Sequence, residues 1–139
     1  MQVLAVQWQK PGNQTPMNLF AGVGAINGFL AVALAAIGTH ALADTASAAQ
    51  MASFQKATYY QMTHALALIG AGWVASAKPS KAASIAGWAF IVGITLFCGA
   101  VYSIGLTGSQ ILAPAAPVGG TLLMIGWLAL AVAAFKRKS

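Results

Sequence analysis

Long apolar runs, broken by single charges or short clusters of turn formers, dominate the chain. No formal charge falls between Lys10 and Asp44, between Lys56 and Lys78, or between Lys81 and Lys136. A helix needs about 20 residues to cross lipid. The first two stretches therefore hold one crossing each. The third holds two, with a hairpin at Gly105, Gly108, Ser109, Pro114 and Pro117, where turn residues concentrate. Runs such as Phe29 to Ile37 are continuously apolar, whereas strands of a membrane barrel alternate. Only helices and closed barrels satisfy their own backbone in hydrocarbon. The pattern predicts an all-α integral membrane protein, a bundle of four transmembrane helices with spans at about 17–40, 58–77, 83–105 and 117–135.

The connections carry their own patterns. In the loop at about 43–57, Ala48, Met51, Phe54 and Thr58 recur at helical spacing, while Gln50, Ser53 and Lys56 can face water. This predicts a short interfacial helix between spans 1 and 2, with a helix start after Asp44-Thr45. Residues 1–16 form a polar extension containing Pro11, Gly12 and Pro16, and residues 136–139 a basic tail. Ala41-Leu42-Ala43 has the small-residue pattern of a signal-cleavage box, but the apolar stretch before it is too long for a signal core. It reads as a true span.

Composition agrees: 59% of the residues are hydrophobic and 6% charged, against about a quarter charged in soluble domains. The net charge of +6 does not indicate nucleic acid, because the basic residues are scattered or terminal and share no soluble face. Their distribution sets orientation instead. Four spans place Lys10, Lys78, Lys81, Lys136, Arg137 and Lys138 on one side, and Lys56 on the other beside Asp44, the sole acid. The excess of Lys and Arg inside puts both termini in the cytoplasm. Trp73 and Trp88 fall near the inner ends of spans 2 and 3, where interfacial aromatics belong. Nothing resembles a transit peptide, and a bacterial inner membrane is the expected location.

The chemistry-bearing residues are few. His64 falls about 10 Å inside span 2 at ~1.5 Å per residue, and Cys98 at a similar depth in span 3. Tyr60 lies one turn from His64, Tyr102 one turn from Cys98, and His40 ends span 1. Together with Gln61 these residues make a candidate polar cluster in the outer half of the bundle. Ionisable groups inside a span invite a functional hypothesis: a metal or haem on His40 and His64, or proton chemistry. The plainer reading is a neutral histidine bonded across the bundle and a cysteine acting as a small apolar residue. Gly24-Ala25-Ile26-Asn27-Gly28 has the GxxxG spacing of close helix contacts, with Asn27 as a polar tie. Gly99, Gly119 and Gly120 are further packing candidates, and Pro117 suits a first helical turn. With Asp44 as the sole acid, catalysis by paired carboxylates is excluded. No catalytic residues, enzyme activity or cofactor are expected.

Several segments carry a family resemblance: Gly38-Thr39-His40, Tyr60-Gln61-Met62-Thr63-His64-Ala65-Leu66-Ala67-Leu68, Phe97-Cys98-Gly99-Ala100-Val101-Tyr102, Pro117-Val118-Gly119-Gly120 and Gly126-Trp127. Together they resemble the YgdD-type inner-membrane proteins (domain of unknown function 423), a family similar to transmembrane protein 256. The likeness runs from about residue 20 to 135. Thr39, Cys98, Ala100 and Ala116 stand where the family pattern favours other residues. The resemblance implies a four-helix membrane protein and no particular activity.

Three functions are compatible with these features. The favoured one is a structural or accessory subunit packed against a larger membrane complex or lipid, as small packing residues and the absence of intramembrane charge suggest. A small transporter or channel component would draw on Asn27, Gln61, Thr63, His64 and Thr95. A redox protein would use His40 and His64 to hold haem or metal. Expected partners are the lipid bilayer and a membrane-protein complex.

Overall fold

The structure, a computed structural model, describes residues 15–136. The extension expected at 1–16 lies almost wholly outside the described residues, as do Lys10, Arg137 and Lys138. Four helices follow in order: α1 (Thr15–Ala41), α2 (Ala48–Ala77), α3 (Lys81–Thr107) and α4 (Ala115–Phe135). By length and composition, three segments are apolar enough to cross a membrane: Leu19–Ala41, Lys81–Thr107 and Ala115–Phe135.

Residues 48–57 are not a separate interfacial helix. They form the first turns of α2, which runs unbroken from Ala48 to Ala77. Its start lies at Ser47, whose side chain accepts from Gln50 N–H while the Gln50 side chain accepts from Ser47 N–H at 3.0 Å. This reciprocal capping box occupies two otherwise orphaned donors. Phe54 and Thr58 point inward and are buried, so the buried stripe continues along α2 without a break.

Ser80 caps α3 by accepting from Ala83 N–H at 3.2 Å. Gly108 closes α3 in the left-handed conformation, φ 71°, and donates to the Ile104 carbonyl. A glycine is favoured there because a Cβ would be strained. The hairpin is therefore shorter than the turn residues suggested: Gly105 lies inside α3 and Pro117 inside the first turn of α4.

The helices pack in a layer of neighbours rather than a closed square. α1 lies along α2, α2 along α3 and α3 along α4, with small α1–α3 and α2–α4 contacts across the layer. Among the described residues α1 and α4 do not meet. Burial follows from this. α2 and α3 have neighbours on both sides and bury wide faces. α4 buries only the stripe Gly119, Leu123, Gly126 and Ala133, and α1 chiefly Phe20, Gly24, Ala31 and Gly38. The core joins Phe20, Leu68, Phe90, Ile94, Cys98 and Leu123.

Glycines set the spacing between helices. A Cβ on Gly24 would lie 2.8 Å from the Ala65 carbonyl oxygen of α2. One on Gly105 would lie 2.8 Å from Phe54 N, and one on Gly119 would collide with the Phe97 backbone. Gly38, Gly87 and Gly126 receive the rings of Phe54, Phe20 and Phe90. Gly28 and Gly120 have only ordinary contacts, and Gly99, expected to pack, has open space around it. The α3 face that carries Gly99 points away from both neighbours, because Ala100 and Val101 take the buried side.

The loop between α2 and α3 lies at the same end as the C-terminus of α4. There the Lys78 ammonium donates to the Ala134 carbonyl at 2.8 Å, filling one of the carbonyls a helix end leaves open. Lys78, Lys81 and Lys136 thus gather at one end. Asp44 and Lys56 belong to the other half of the layer.

Gly24→Ala and Gly119→Ala are expected to destabilise the protein by about 1–3 kcal/mol, since each forces backbone apart. Gly99→Ala should be within about 0.5 kcal/mol of the wild type. Thermal unfolding in detergent, followed by loss of the monodisperse gel-filtration peak, checks the ranking.

Candidate functional site

Two polar arrangements lie inside the layer, and they do different work. The first is a chain of hydrogen bonds across three helices. The Tyr102 hydroxyl (α3) donates to Gln61 Oε1 (α2) at 2.7 Å, and Gln61 Nε2 donates to Asn27 Oδ1 (α1) at 3.1 Å. Asn27 Nδ2 then donates to the Val23 carbonyl at 2.9 Å. Every donor points the same way, so each bond polarises the next. Gln61 is buried and has both ends of its amide occupied. Edge-on packing of Phe54 against Tyr102, with ring centroids 5.1 Å apart, fixes the phenol. The chain runs across the helices rather than along them, so it ties them together and makes no path through them.

The second arrangement centres on His64, near the middle of α2. Its Nδ1 lies 2.7 Å from the Tyr60 carbonyl oxygen. A carbonyl only accepts, so Nδ1 carries the proton and, in the neutral ring, Nε2 presents a lone pair. Tyr60 stacks on the imidazole with centroids 5.7 Å apart. Phe90 and Trp127 stand 6.0 and 6.1 Å away. No buried side-chain nitrogen or oxygen among the described residues lacks a partner. Nε2 makes no hydrogen bond among the described residues, so it is not sealed in. His64 lines a groove with Tyr60, Phe97, Pro117, Gly120 and Trp127. This groove, of about 540 Å³, lies between α2 and α4 over α3.

The expected cluster therefore separates. Tyr60 joins His64, and Gln61 joins Tyr102, on different faces of α2. Cys98 is buried among Phe90, Ile94 and Leu123 as an apolar core residue. His40 is exposed at the end of α1. Gly38 packs on Phe54 and Gly24 on Ala65 and Ile69, which places His40 level with the second turn of α2. That is about 20 Å along the helix from His64 at ~1.5 Å per residue. The two histidines cannot share a metal or a haem. They are apart because α2 begins ten residues before Thr58, carrying the α1–α2 turn away from His64. No group of three or more His, Cys, Asp or Glu capable of holding a metal occurs among the described residues.

Sequence reasoning missed the groove walls. Phe97 and Trp127 were visible as aromatics, but the α3–α4 register that brings both toward His64 is set by Gly119 on Phe97 and Gly126 on Phe90.

Gln61→Leu strands the Tyr102 hydroxyl and the Asn27 carbonyl together. It is expected to cost about 1–3 kcal/mol. A double-mutant cycle with Asn27→Leu should return a coupling of ~0.6–2 kcal/mol, read from unfolding in mixed micelles.

Comparison with known proteins places this geometry in a family. The family described as "Protein of unknown function (DUF423)" matches residues 34–120. A UPF0382 membrane protein of Staphylococcus epidermidis is 41% identical over 120 residues, covering 86% of this chain and 98% of the relative. A UPF0382 membrane protein of Haemophilus influenzae is 32% identical over 122 residues, covering 88% and 98%. No solved structure matches. The matched span takes in the α1 end, all of α2 and α3 and the glycine-rich start of α4, and the chain belongs to the DUF423 family of membrane proteins.

Proposed function

We propose that this protein is a non-enzymatic, four-span structural or accessory subunit of a larger assembly in the bacterial cytoplasmic membrane, with both termini in the cytoplasm. The observation that carries the reading is the open layer. Among the described residues α1 and α4 do not meet, and large apolar side chains such as Phe29, Val32, Leu128 and Val132 are exposed on their outer faces. Meanwhile the interior polar groups of Asn27, Gln61 and Tyr102 are consumed in ties between helices. Such a molecule has surface for neighbours and little polar lining for a pathway.

The fourth span is α2. Part of its lower hydropathy comes from Thr58, Gln61 and His64, which are buried against neighbouring helices. Lys56 and Lys78 lie about 33 Å apart along it at ~1.5 Å per residue, which suits a hydrocarbon layer of about 30 Å. The turns before Lys56 then stand outside the hydrocarbon. Lys78, Lys81 and Lys136 mark the cytoplasmic end, as the distribution of basic residues requires.

Single cysteines in a Cys98→Ala background test the topology. Asp44→Cys and Gln110→Cys should react with an impermeant maleimide in intact cells, and Pro79→Cys only after permeabilisation. Labelling of positions 44 and 79 from the same side would remove the fourth span. Extraction in native nanodiscs tests the accessory role: a stoichiometric membrane-protein partner is expected, and a chain that emerges alone would overturn it.

A further inference from the structure

The groove at His64 is not used by the packing just described. It is lined by His64, whose Nε2 has no hydrogen-bond partner among the described residues, and by side chains whose other polar groups are the Tyr60 and Thr121 hydroxyls and the Trp127 indole N–H. A satisfied core histidine would spend both ring nitrogens within the protein. This one spends Nδ1 on its own helix and leaves Nε2 without a partner among the described residues, on a side chain that lines the groove. Its orientation is held on three sides by Tyr60, Phe90 and Trp127, so the lone pair has a fixed direction.

The geometry points to a binding site for a lipophilic phenol-type ring, the chemistry shared by quinol head groups and other ring alcohols, with its hydroxyl donating to His64 Nε2. Three features choose this class. An acceptor in an apolar phase calls for a donor, and a charged donor such as an ammonium is costly there. Tyr60, Phe97 and Trp127 offer ring faces and edges, which favour a flat aromatic guest. The volume of about 540 Å³ falls in the range of about 300–1,000 Å³ common for small-molecule sites. The groove is also open along the exposed side of α4 at Thr121 and Met124, so an apolar tail on the ring can lie out in the lipid. The site rests on the membrane placement of α2 and α4 proposed above, but not on the accessory role.

Gly120 gives a way to block the groove. A Cβ there would meet the Phe97 ring at 3.7 Å, an ordinary contact, so a larger side chain can enter without moving the helices. The probe is 1-naphthol, with 1-methoxynaphthalene as the same ring lacking a donor. Both are measured by equilibrium dialysis against the full chain in nanodiscs, with empty nanodiscs subtracted. Saturable 1-naphthol binding near one per chain is expected, at least ~10-fold tighter than the ether. His64→Phe, which keeps a ring and removes the acceptor, should erase that preference, and Gly120→Leu should abolish saturable binding of both. Uptake no greater than empty nanodiscs, equal affinity for the two probes, or a preference that survives His64→Phe would each overturn the site. Should His64→Phe fail to fold, undiminished 1-naphthol binding by Gly120→Leu would overturn it instead. The topology labelling and the partner extraction are separate readouts, so failure of either can be told from failure of the site.

Discussion

Close approach of helix backbones is the constraint on which the rest of this structure depends. In lipid the hydrophobic effect does not drive one apolar helix onto another, so association relies on packing contact and interhelical hydrogen bonds. Dispersion contacts are weak singly and fall off steeply with a gap. Gly24 against Ala65, Gly105 against Phe54 and Gly119 against Phe97 bring the three sequential helix pairs close enough to accumulate them. The short polar links then become reachable. Gln61 could not touch both Asn27 and Tyr102 if α1 or α3 stood an ångström or two further off.

That packing leaves an asymmetry. α2 and α3 are central and bury broad faces, while α1 and α4 bury narrow stripes and expose the rest. The polar residues follow the same division. Gln61 and His64 sit on α2, where neighbouring helices bury them. The least apolar helix is thus one of the two most covered by its neighbours, and the outer helices α1 and α4 are more apolar. The layer also makes two different environments on α2. On the α1–α3 side Gln61 is fully engaged, whereas on the α4 side His64 borders a groove.

Much of this was legible in one dimension. Three charge-free intervals, the last divided by the turn residues from Gly105 to Pro117, located the greater part of all four helices. The separation of Lys78, Lys81 and Lys136 from Asp44 and Lys56 was equally plain. Asn27 as a tie within a GxxxG spacing could be read because both the spacing and the amide have a physical use in lipid. The interfacial helix was misjudged for a local reason. Polar residues at Gln50, Ser53 and Lys56 mark a change of surroundings, and a helix can cross such a change without breaking.

Periodicity and charge therefore determined, from the sequence alone, that this is an all-helical membrane protein, where its helices run and which end carries the basic residues. They could not determine which residues meet. The offset between neighbouring helices depends on which glycine receives which side chain, and glycines that pack look like glycines that do not: Gly119 is in contact and Gly99 is free. Only the tertiary structure decided those registers. They remove His40 from His64 by about 20 Å along the helix axis, put Gln61 rather than His64 at the centre of the polar links, and bring Phe97 and Trp127 to the groove that the His64 imidazole lines.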